Sequence, residues 1–129
     1  MRATAVIIKD GQILLIHRFR DGQEFFALPG GGVDDRETLE EATLREVKEE
    51  TNLNAKIDKK LWKYYNDYDK RMHYFFLVTD FSGALKLGGE EAKINRPTDS
   101  YVLEWHKLTE LLDLPIKPDF IKEKLMKEF

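Results

Sequence analysis

The sequence predicts an α/β (α+β) fold in which a mixed β-sheet lies between helices. Three observations lead to this prediction: short runs rich in branched aliphatic residues, glycine-containing turns between them, and one long amphipathic helix inserted among the strands. An order of strands, helix, more strands and a terminal helix is typical of layered architectures. The chain has 129 residues, a length that favours a single domain, 1–129, with its own core.

The first part of the chain predicts two consecutive hairpins. Ala3 to Ile8 and Gln12 to His17 have the branched apolar composition of strands, and Asp10-Gly11 between them is a strong two-residue hairpin signal. Asp21-Gly22 then predicts a second turn, and Glu24 to Leu28 a short third strand. The apolar character of the first two strands indicates that both of their faces are covered.

A glycine-rich break and one helix follow these strands. Pro29-Gly30-Gly31-Gly32 is expected to end the third strand, and the helix is expected to begin near Thr38. Thr38 with Glu41 three residues later fits a capping box. The helix is expected to end at Asn52, because asparagine tolerates the left-handed conformation that a helix C-cap requires.

The second half of the chain predicts three strands, one helical turn and a closing helix. A long loop, Ser82 to Ser100, separates the second of these strands from the third, and loops of that length are often functional. The predicted elements are, in order, Ala55 to Tyr65, Met72 to Asp80, Tyr101 to His106, Thr109 to Leu112 and Asp119 to Glu128.

Composition argues against several classes of protein. The chain has 21 basic and 24 acidic residues, a net charge of −3 and no cysteine. This balance gives no support to a nucleic-acid-binding stripe, and the absence of cysteine excludes disulfide and thiolate chemistry. No stretch is long and apolar enough to span a membrane, and the apolar run Ala3 to Ile8 is too short for a secretory leader. The cytoplasm is therefore the expected location.

The predicted helix concentrates negative charge near its end. Glu46, Glu49 and Glu50 project close together beside Arg45. Like charges one turn apart destabilise an isolated helix, so a compensating charge is expected. A divalent cation is the simplest candidate, because magnesium takes carboxylate oxygens and keeps positions open for water and substrate phosphate.

The same stretch closely resembles the box of the Nudix hydrolases. The family pattern is Gly-x5-Glu-x7-Arg-Glu-U-x-Glu-Glu-x-Gly-U, where U is aliphatic. Gly31, Glu37 and the run Arg45 to Leu53 match it over 23 residues, and the one departure is Asn52 in place of glycine. The resemblance implies the Nudix α/β/α sandwich. It also implies hydrolysis of a nucleoside diphosphate linked to another group, X, with Mg²⁺ or Mn²⁺ as cofactor.

The resemblance also implies a role for each residue of the box. Glu46 and Glu50 would be metal ligands, and Glu49 a ligand or the general base. The backbone carbonyl of Gly31 would complete the metal shell. Arg45 would orient the carboxylates, and Glu37 would hold the loop or bind a further metal.

Several residues besides these are further candidates for the site. Some family members take their base from a distant loop, so Glu90 and Glu91 are alternatives, with Glu91 preferred. Arg18, Arg20 and Arg36 flank predicted loops, and a phosphate contact is expected from one of them, with Arg18 and Arg36 favoured. Gly30 and Gly32 would let the backbone approach phosphates closely. The three histidines, His17, His73 and His106, fall in predicted strands and are expected to be ordinary sheet residues.

Several substrates stay open at this point. The first expectation is a MutT-like pyrophosphohydrolase of nucleoside triphosphates, and the second is an ADP-ribose or dinucleoside polyphosphate hydrolase. A catalytically silent nucleotide sensor is the alternative of another class. The expected partner is therefore a small nucleotide, without a nucleic acid polymer or a membrane. Dimers are frequent among small family members, so a homodimer is also left open.

Overall fold

A computed structural model describes residues 1–86, 88 and 99–129, and within these ranges the chain forms seven strands, two α-helices and one 3₁₀ helix. The elements occur in the predicted order, with bounds close to the predicted ones. No helix in these ranges has both the length and the apolar character needed to cross a bilayer. The elements are β1 (Arg2–Lys9), β2 (Gln12–Arg20), β3 (Gln23–Ala27), β4 (Gly30–Gly32), α1 (Leu39–Thr51), β5 (Asn54–Asn66), β6 (Arg71–Ser82), β7 (Asp99–Lys107), the 3₁₀ helix (Leu108–Asp113) and α2 (Asp119–Glu128).

The sheet is mixed, as predicted. Its order is β3-β2-β1-β6-β5, with β4 also pairing with β1 and β7 with β2. The β1–β6 pair is parallel, and the other pairs between the named strands are antiparallel. Because β1 belongs to both halves of the sheet, residues at its start lie beside β4 on one side and β6 on the other.

Two predicted turns have the expected left-handed geometry. At the first, Asp10 and Gly11 have φ values of 53° and 75°, and at the second, Asp21 and Gly22 have values of 50° and 80°. Positive φ at both central residues is the requirement of a type I′ hairpin turn, which aspartate-glycine satisfies. Both hairpin predictions are confirmed.

The glycine-rich stretch before the helix differs from its prediction. Gly30–Gly32 does not only end a strand; it forms β4, which pairs antiparallel with the first residues of β1. The close approach explains the glycine at position 30, because a Cβ there would lie 2.5 Å from the carbonyl oxygen of Ala3. The pairing depends on a distant strand, so the glycine content alone pointed to a break.

Two apolar cores lie on opposite faces of the sheet. One core contains Val47 of α1 packed with residues of β1, β2 and β6. The other contains Ile121 and Leu125 of α2, together with Phe75 and Leu111. A helix therefore covers each face, which confirms the expected layering of helix, sheet and helix.

Both ends of α1 are fixed as predicted. The Thr38 hydroxyl accepts a hydrogen bond from the Glu41 N–H at 3.0 Å, and the Thr38 N–H donates to the Glu41 carboxylate at 2.9 Å. Asn52 is left-handed with φ of 67°, and its side-chain amide donates to the Ala84 carbonyl at 3.0 Å. These contacts set where the acidic end of α1 lies.

Candidate active site

Strand β4 lies directly against the acidic end of α1. The Gly30 N–H donates to Glu50 Oε1 at 3.0 Å, and the Glu50 side chain is almost fully buried. The Glu46 carboxylate occupies the space that a Cβ on Gly31 would fill. Glycines are therefore needed here because two carboxylates pack against the backbone, and these contacts hold Glu46 and Glu50 at the β4 surface.

Arg45 connects the loop before α1 to the carboxylates on it. Its guanidinium donates five hydrogen bonds, two of them to Glu37 at 2.6 and 2.9 Å. The others reach Glu46 at 2.9 Å, Glu49 at 3.4 Å and the Gly32 carbonyl at 3.0 Å. The two hydrogen bonds between Arg45 and Glu37 fix both side chains in one geometry.

The Arg45 contacts change the ionisation of their partners. Hydrogen bonds from Arg45, together with the Asp34 N–H, lower the pKa of Glu37 to about 2. The hydrogen bonds to Glu37 outweigh partial burial and raise the pKa of Arg45. Glu37 and Arg45 are therefore both charged at neutral pH.

The donor chemistry of this region fits a hard divalent cation. Glu46 and Glu50 present carboxylate oxygens one helical turn apart, beside the backbone of β4, and Mg²⁺ prefers such oxygen ligands. Within the part of the chain that the structure describes, no three acidic or histidine side chains are already grouped as ligands for one ion. In this arrangement the carboxylates are held by Arg45 and Gly30.

A cavity of about 890 Å³ lies at the start of β1, and the described residues that line it include none from β4 or α1. Its walls come from the β2–β3 hairpin, the turn between β5 and β6, and the segment that enters α2. Arg2 lines the cavity at the start of β1, opposite Gly32 on one side and His73 on the other. Sequence reasoning missed Arg2, because only the β1 pairings bring it beside the box.

The charges around Arg2 connect the cavity to the acidic helix. Burial lowers the pKa of Arg2, and the nearby carboxylates of Glu50 and Glu46 only partly oppose this. On the cavity floor, buried His73 contacts Asp69 at 2.7 Å between Nε2 and the carboxylate. Arg2 is thus the cavity residue whose charge interacts with the carboxylates of α1.

Comparison with known proteins decides the family. The NUDIX domain model matches residues 1–129. The chain belongs to the Nudix family. Its Nudix box is the stretch Gly31 to Leu53, formed by β4, the loop after it and α1.

Two curated relatives carry names of pyrophosphate-cleaving enzymes. One, named ADP-ribose pyrophosphatase, from Methanocaldococcus jannaschii, is 44% identical over 93 residues, covering 68% of this chain and 54% of that protein. Another, named putative 8-oxo-dGTP diphosphatase, from Bacillus subtilis, is 35% identical over 91 residues, covering 70% of this chain and 60% of that protein. The matched parts thus span little more than half the length of these relatives.

A solved structure supports the fold. A MutT structure from a study of the Aliivibrio salmonicida and Vibrio cholerae proteins superposes with a TM-score of 0.78 at 21% identity. The match covers 99% of this chain and 97% of that one. The mixed sheet with flanking helices is therefore the Nudix architecture, as the sequence resemblance implied.

The predicted residues outside the Nudix box lie in different places. Arg18 is buried on β2, where it pairs with Asp99 at 3.0 Å and stacks on Tyr101, with its guanidinium carbon 3.5 Å from the ring centre. It does not line the cavity, whereas Arg20 does. Arg36 is exposed in the turn before α1. These positions leave the predicted phosphate contacts of Arg18 and Arg36 as predictions.

The alternative bases lie outside the described residues. Glu90 and Glu91 are both in the part of the chain that the structure does not describe. The segment leading to them returns to the end of α1, because the Lys86 N–H donates to the Thr51 carbonyl at 2.9 Å and the Gly88 N–H to the Glu50 carbonyl at 3.3 Å.

The three histidines lie in strands, as expected. His17 on β2 and His106 on β7 share a network of contacts with carboxylates. His17 contacts Glu24 at 3.0 Å and Glu104 at 2.9 Å, and His106 contacts the same Glu104 at 2.7 Å. Burial alone would lower the pKa of His17, but hydrogen bonds to Glu104 and Glu24 outweigh it and raise that pKa. This network joins β2, β3 and β7.

Proposed function

We propose that the chain is a pyrophosphohydrolase, dependent on Mg²⁺ or Mn²⁺, that cleaves a nucleoside diphosphate linked to X. The observation that carries this proposal is the packing of Glu46 and Glu50 against the glycine strand, with Glu46 also held by Arg45, near a cavity of about 890 Å³ that Arg2 lines. A cavity of this size is within the range that small-molecule sites occupy.

The proposed roles follow from the contacts of each residue. Glu46 and Glu50 would hold the cation with the backbone of Gly31. When bound, the ion would neutralise charge that builds on the phosphate oxygens. Glu49 is half-exposed and held only loosely by Arg45, at 3.4 Å, so its carboxylate is free to orient the attacking water and accept its proton. Glu91 is the alternative base.

Arg45 and Glu37 would act through the other residues. The Arg45–Glu37 fork ties the loop to α1, and a third nitrogen-to-oxygen contact holds Glu46 in place. Loss of such positioning can lower the rate by as much as about 10²-fold. Both are therefore proposed as positioning residues.

Two substrate classes are proposed in order. A nucleoside triphosphate, cleaved as MutT-type enzymes cleave it, is the first. ADP-ribose is the second, and the curated relative of that name, 44% identical over 93 residues, favours it. A dinucleoside polyphosphate belongs in the same panel because it also contains a nucleoside diphosphate linked to X.

The test is a substrate panel with coupled phosphate release in Mg²⁺. Nucleoside triphosphates would release pyrophosphate, which inorganic pyrophosphatase converts to phosphate, whereas ADP-ribose would yield monophosphates that need alkaline phosphatase. The coupling enzyme therefore identifies the product. We expect turnover that falls by about 10²–10³-fold or more in Glu50→Gln, because one preorganised charged group is removed. Glu40→Gln, in the first turn of α1, is the matched control and should retain activity.

Each outcome of the panel bears on one part of the proposal. Equal rates in wild type and Glu50→Gln would remove Glu50 from the mechanism. Full activity in excess chelator would remove the metal. Tight binding of a nucleotide with no turnover of any panel member would favour the nucleotide sensor instead.

A further inference from the structure

The cations that line the cavity are not all paired. Three of the four have a carboxylate partner in the same wall within 4 Å. The pairs are Arg20 with Asp21 at 3.9 Å, Arg71 with Asp69 at 3.4 Å and Lys117 with Asp119 at 3.7 Å. The fourth cation is Arg2.

Arg2 forms no ion pair within 4 Å with any carboxylate in the described ranges 1–86, 88 and 99–129. It lies at the start of β1, between Gly32 of the Nudix box and His73 on the cavity floor. Arg2 is partly buried, and partial desolvation of a guanidinium is costly when no carboxylate pairs with it. Its position points to an anion that arrives with a ligand.

We propose that Arg2 binds the diphosphate of the substrate on the cavity side of the Nudix box. A guanidinium presents parallel N–H donors that match two phosphate oxygens, and Arg2 is the one cavity cation within the described ranges that forms no ion pair within 4 Å. The inference rests on the proposed function, because it assigns the diphosphate to the same site. The rest of the cavity wall is balanced in charge, which suits an uncharged nucleoside or sugar.

This role separates Arg2 from the proposed metal ligands. Glu46 and Glu50 would act on the phosphates only through a cation, whereas Arg2 would contact the anion directly. Binding of a diphosphate should therefore retain a component that depends on Arg2 when the metal is absent. A diphosphate can offer one phosphate to the cation and the other to Arg2, so Arg2 should also favour diphosphates over monophosphates.

The experiment is calorimetric titration with methylenediphosphonate, which is not hydrolysed, in Mg²⁺ and again in chelator. In Arg2→Met, which removes the charge at similar length, we expect the Kd to rise about tenfold or more in both conditions. Arg2→Lys keeps the charge without the fork and should raise the Kd less. Lys9→Met, which removes an exposed cation at the opposite end of β1, outside the cavity, should bind within about twofold of wild type.

A second readout distinguishes binding from a structural role. Methylphosphonate, with one phosphorus, serves as the comparison probe, and the preference for the diphosphonate should shrink in Arg2→Met. Thermal unfolding of Arg2→Met should match or exceed wild type, because no ion pair is lost. If Arg2→Met does not fold, the Kd of Arg2→Lys decides, and a value equal to wild type overturns the proposal.

Failure of this inference is distinguishable from failure of the proposed function. A wild-type chain that binds the diphosphonate through Arg2 but hydrolyses no panel member would refute the hydrolase and leave the Arg2 site standing. A wild-type chain that hydrolyses the panel, with equal diphosphonate affinity and KM in Arg2→Met, would overturn the Arg2 site alone. Wild type that does not bind the diphosphonate in either condition would also overturn it.

Discussion

Two arginines near the Nudix box differ in the number of polar contacts that each makes within the protein. Arg45 donates five hydrogen bonds, to Glu37, Glu46, Glu49 and a backbone carbonyl, and its neighbours hold it in one geometry. Arg2 lines the adjacent cavity and has no ion pair with the residues that the structure describes. The difference shows how one side-chain type can either complete a fold or remain available for a ligand.

Among the substitutions that test this contrast, Arg45→Met has the largest expected effect, because it removes the arginine with five hydrogen bonds. Glu37 and Glu46 would lose their partner, so we expect the free energy of unfolding to fall by about 2 kcal/mol, because carboxylates held by charged hydrogen bonds would be left unpaired. Turnover should fall about 10²-fold, because Glu46 would lose its orientation. Denaturant unfolding and the substrate panel measure the two quantities.

Denaturant unfolding of Arg2→Met tests whether Arg2 differs from Arg45 in its contribution to stability. Arg2→Met should keep the wild-type free energy of unfolding, although it weakens diphosphonate binding. If Arg2→Met is destabilised as much as Arg45→Met, the two arginines have the same structural role and the comparison fails.

The next effect concerns the glycine strand that Arg45 helps to pack. In Gly31→Ala the new Cβ would overlap the Glu46 carboxylate, the flexible end of a side chain that can move aside. We expect the fold to survive with a loss below about 1 kcal/mol, and turnover to fall by about 10-fold or more, because Glu46 would be displaced.

Gly32→Ala is the matched control for this substitution. A Cβ at position 32 meets nothing within 4 Å, so Gly32→Ala should keep the wild-type packing of Glu46 and the wild-type stability. Equal losses in the two variants would show that the strand needs glycine for its backbone and not for the packing of Glu46.

A smaller effect is expected at the end of α1, away from both arginines. Asn52 is left-handed and its amide donates to the Ala84 carbonyl. Asn52→Ala should cost about 1 kcal/mol, because alanine tolerates this conformation poorly and makes no such bond. Asn52→Gly restores the family residue and should cost less. Unchanged stability in Asn52→Ala would contradict the cap assignment.

The smallest effect is in the pH dependence of stability. Hydrogen bonds from Arg45 lower the pKa of Glu37 to about 2 from an ordinary value of 4.5. A carboxyl group with a depressed pKa stabilises the fold above its unfolded pKa, and this contribution is lost as the pH falls toward the folded value. The stability difference between wild type and Arg45→Met should therefore shrink between pH 5 and about pH 2. A constant difference would contradict the assignment.

Local signals explain which parts of the fold could be predicted. The Asp-Gly turns and both caps of α1 depend on residues adjacent in sequence, and all were predicted with their residues. The strand Gly30–Gly32 was not, because only its pairing with β1 makes it a strand. Strand β2 also runs three residues further than predicted, to Arg20, where it pairs with β3 and β7.

The candidate site divides in the same way. The motif brought Arg45, Glu46, Glu49 and Glu50 together on one helix, so their proximity followed from helical spacing. Arg2 was missed, because its place beside the Nudix box depends on strand pairing more than twenty-five residues away. Arg18 shows the converse, since nearness to a predicted loop did not reveal that its side chain is buried against Asp99 and Tyr101.

Every role proposed for the Nudix box depends on the carboxylates of α1 holding a divalent cation. The most direct measurement is an anomalous difference map from a crystal soaked in Mn²⁺, compared with the same soak of Glu50→Gln. We expect a manganese peak in contact with Glu46 and Glu50 in wild type, and a weakened peak or none in the variant. A well-ordered wild-type site with both carboxylates turned to solvent and no peak beside them would contradict it.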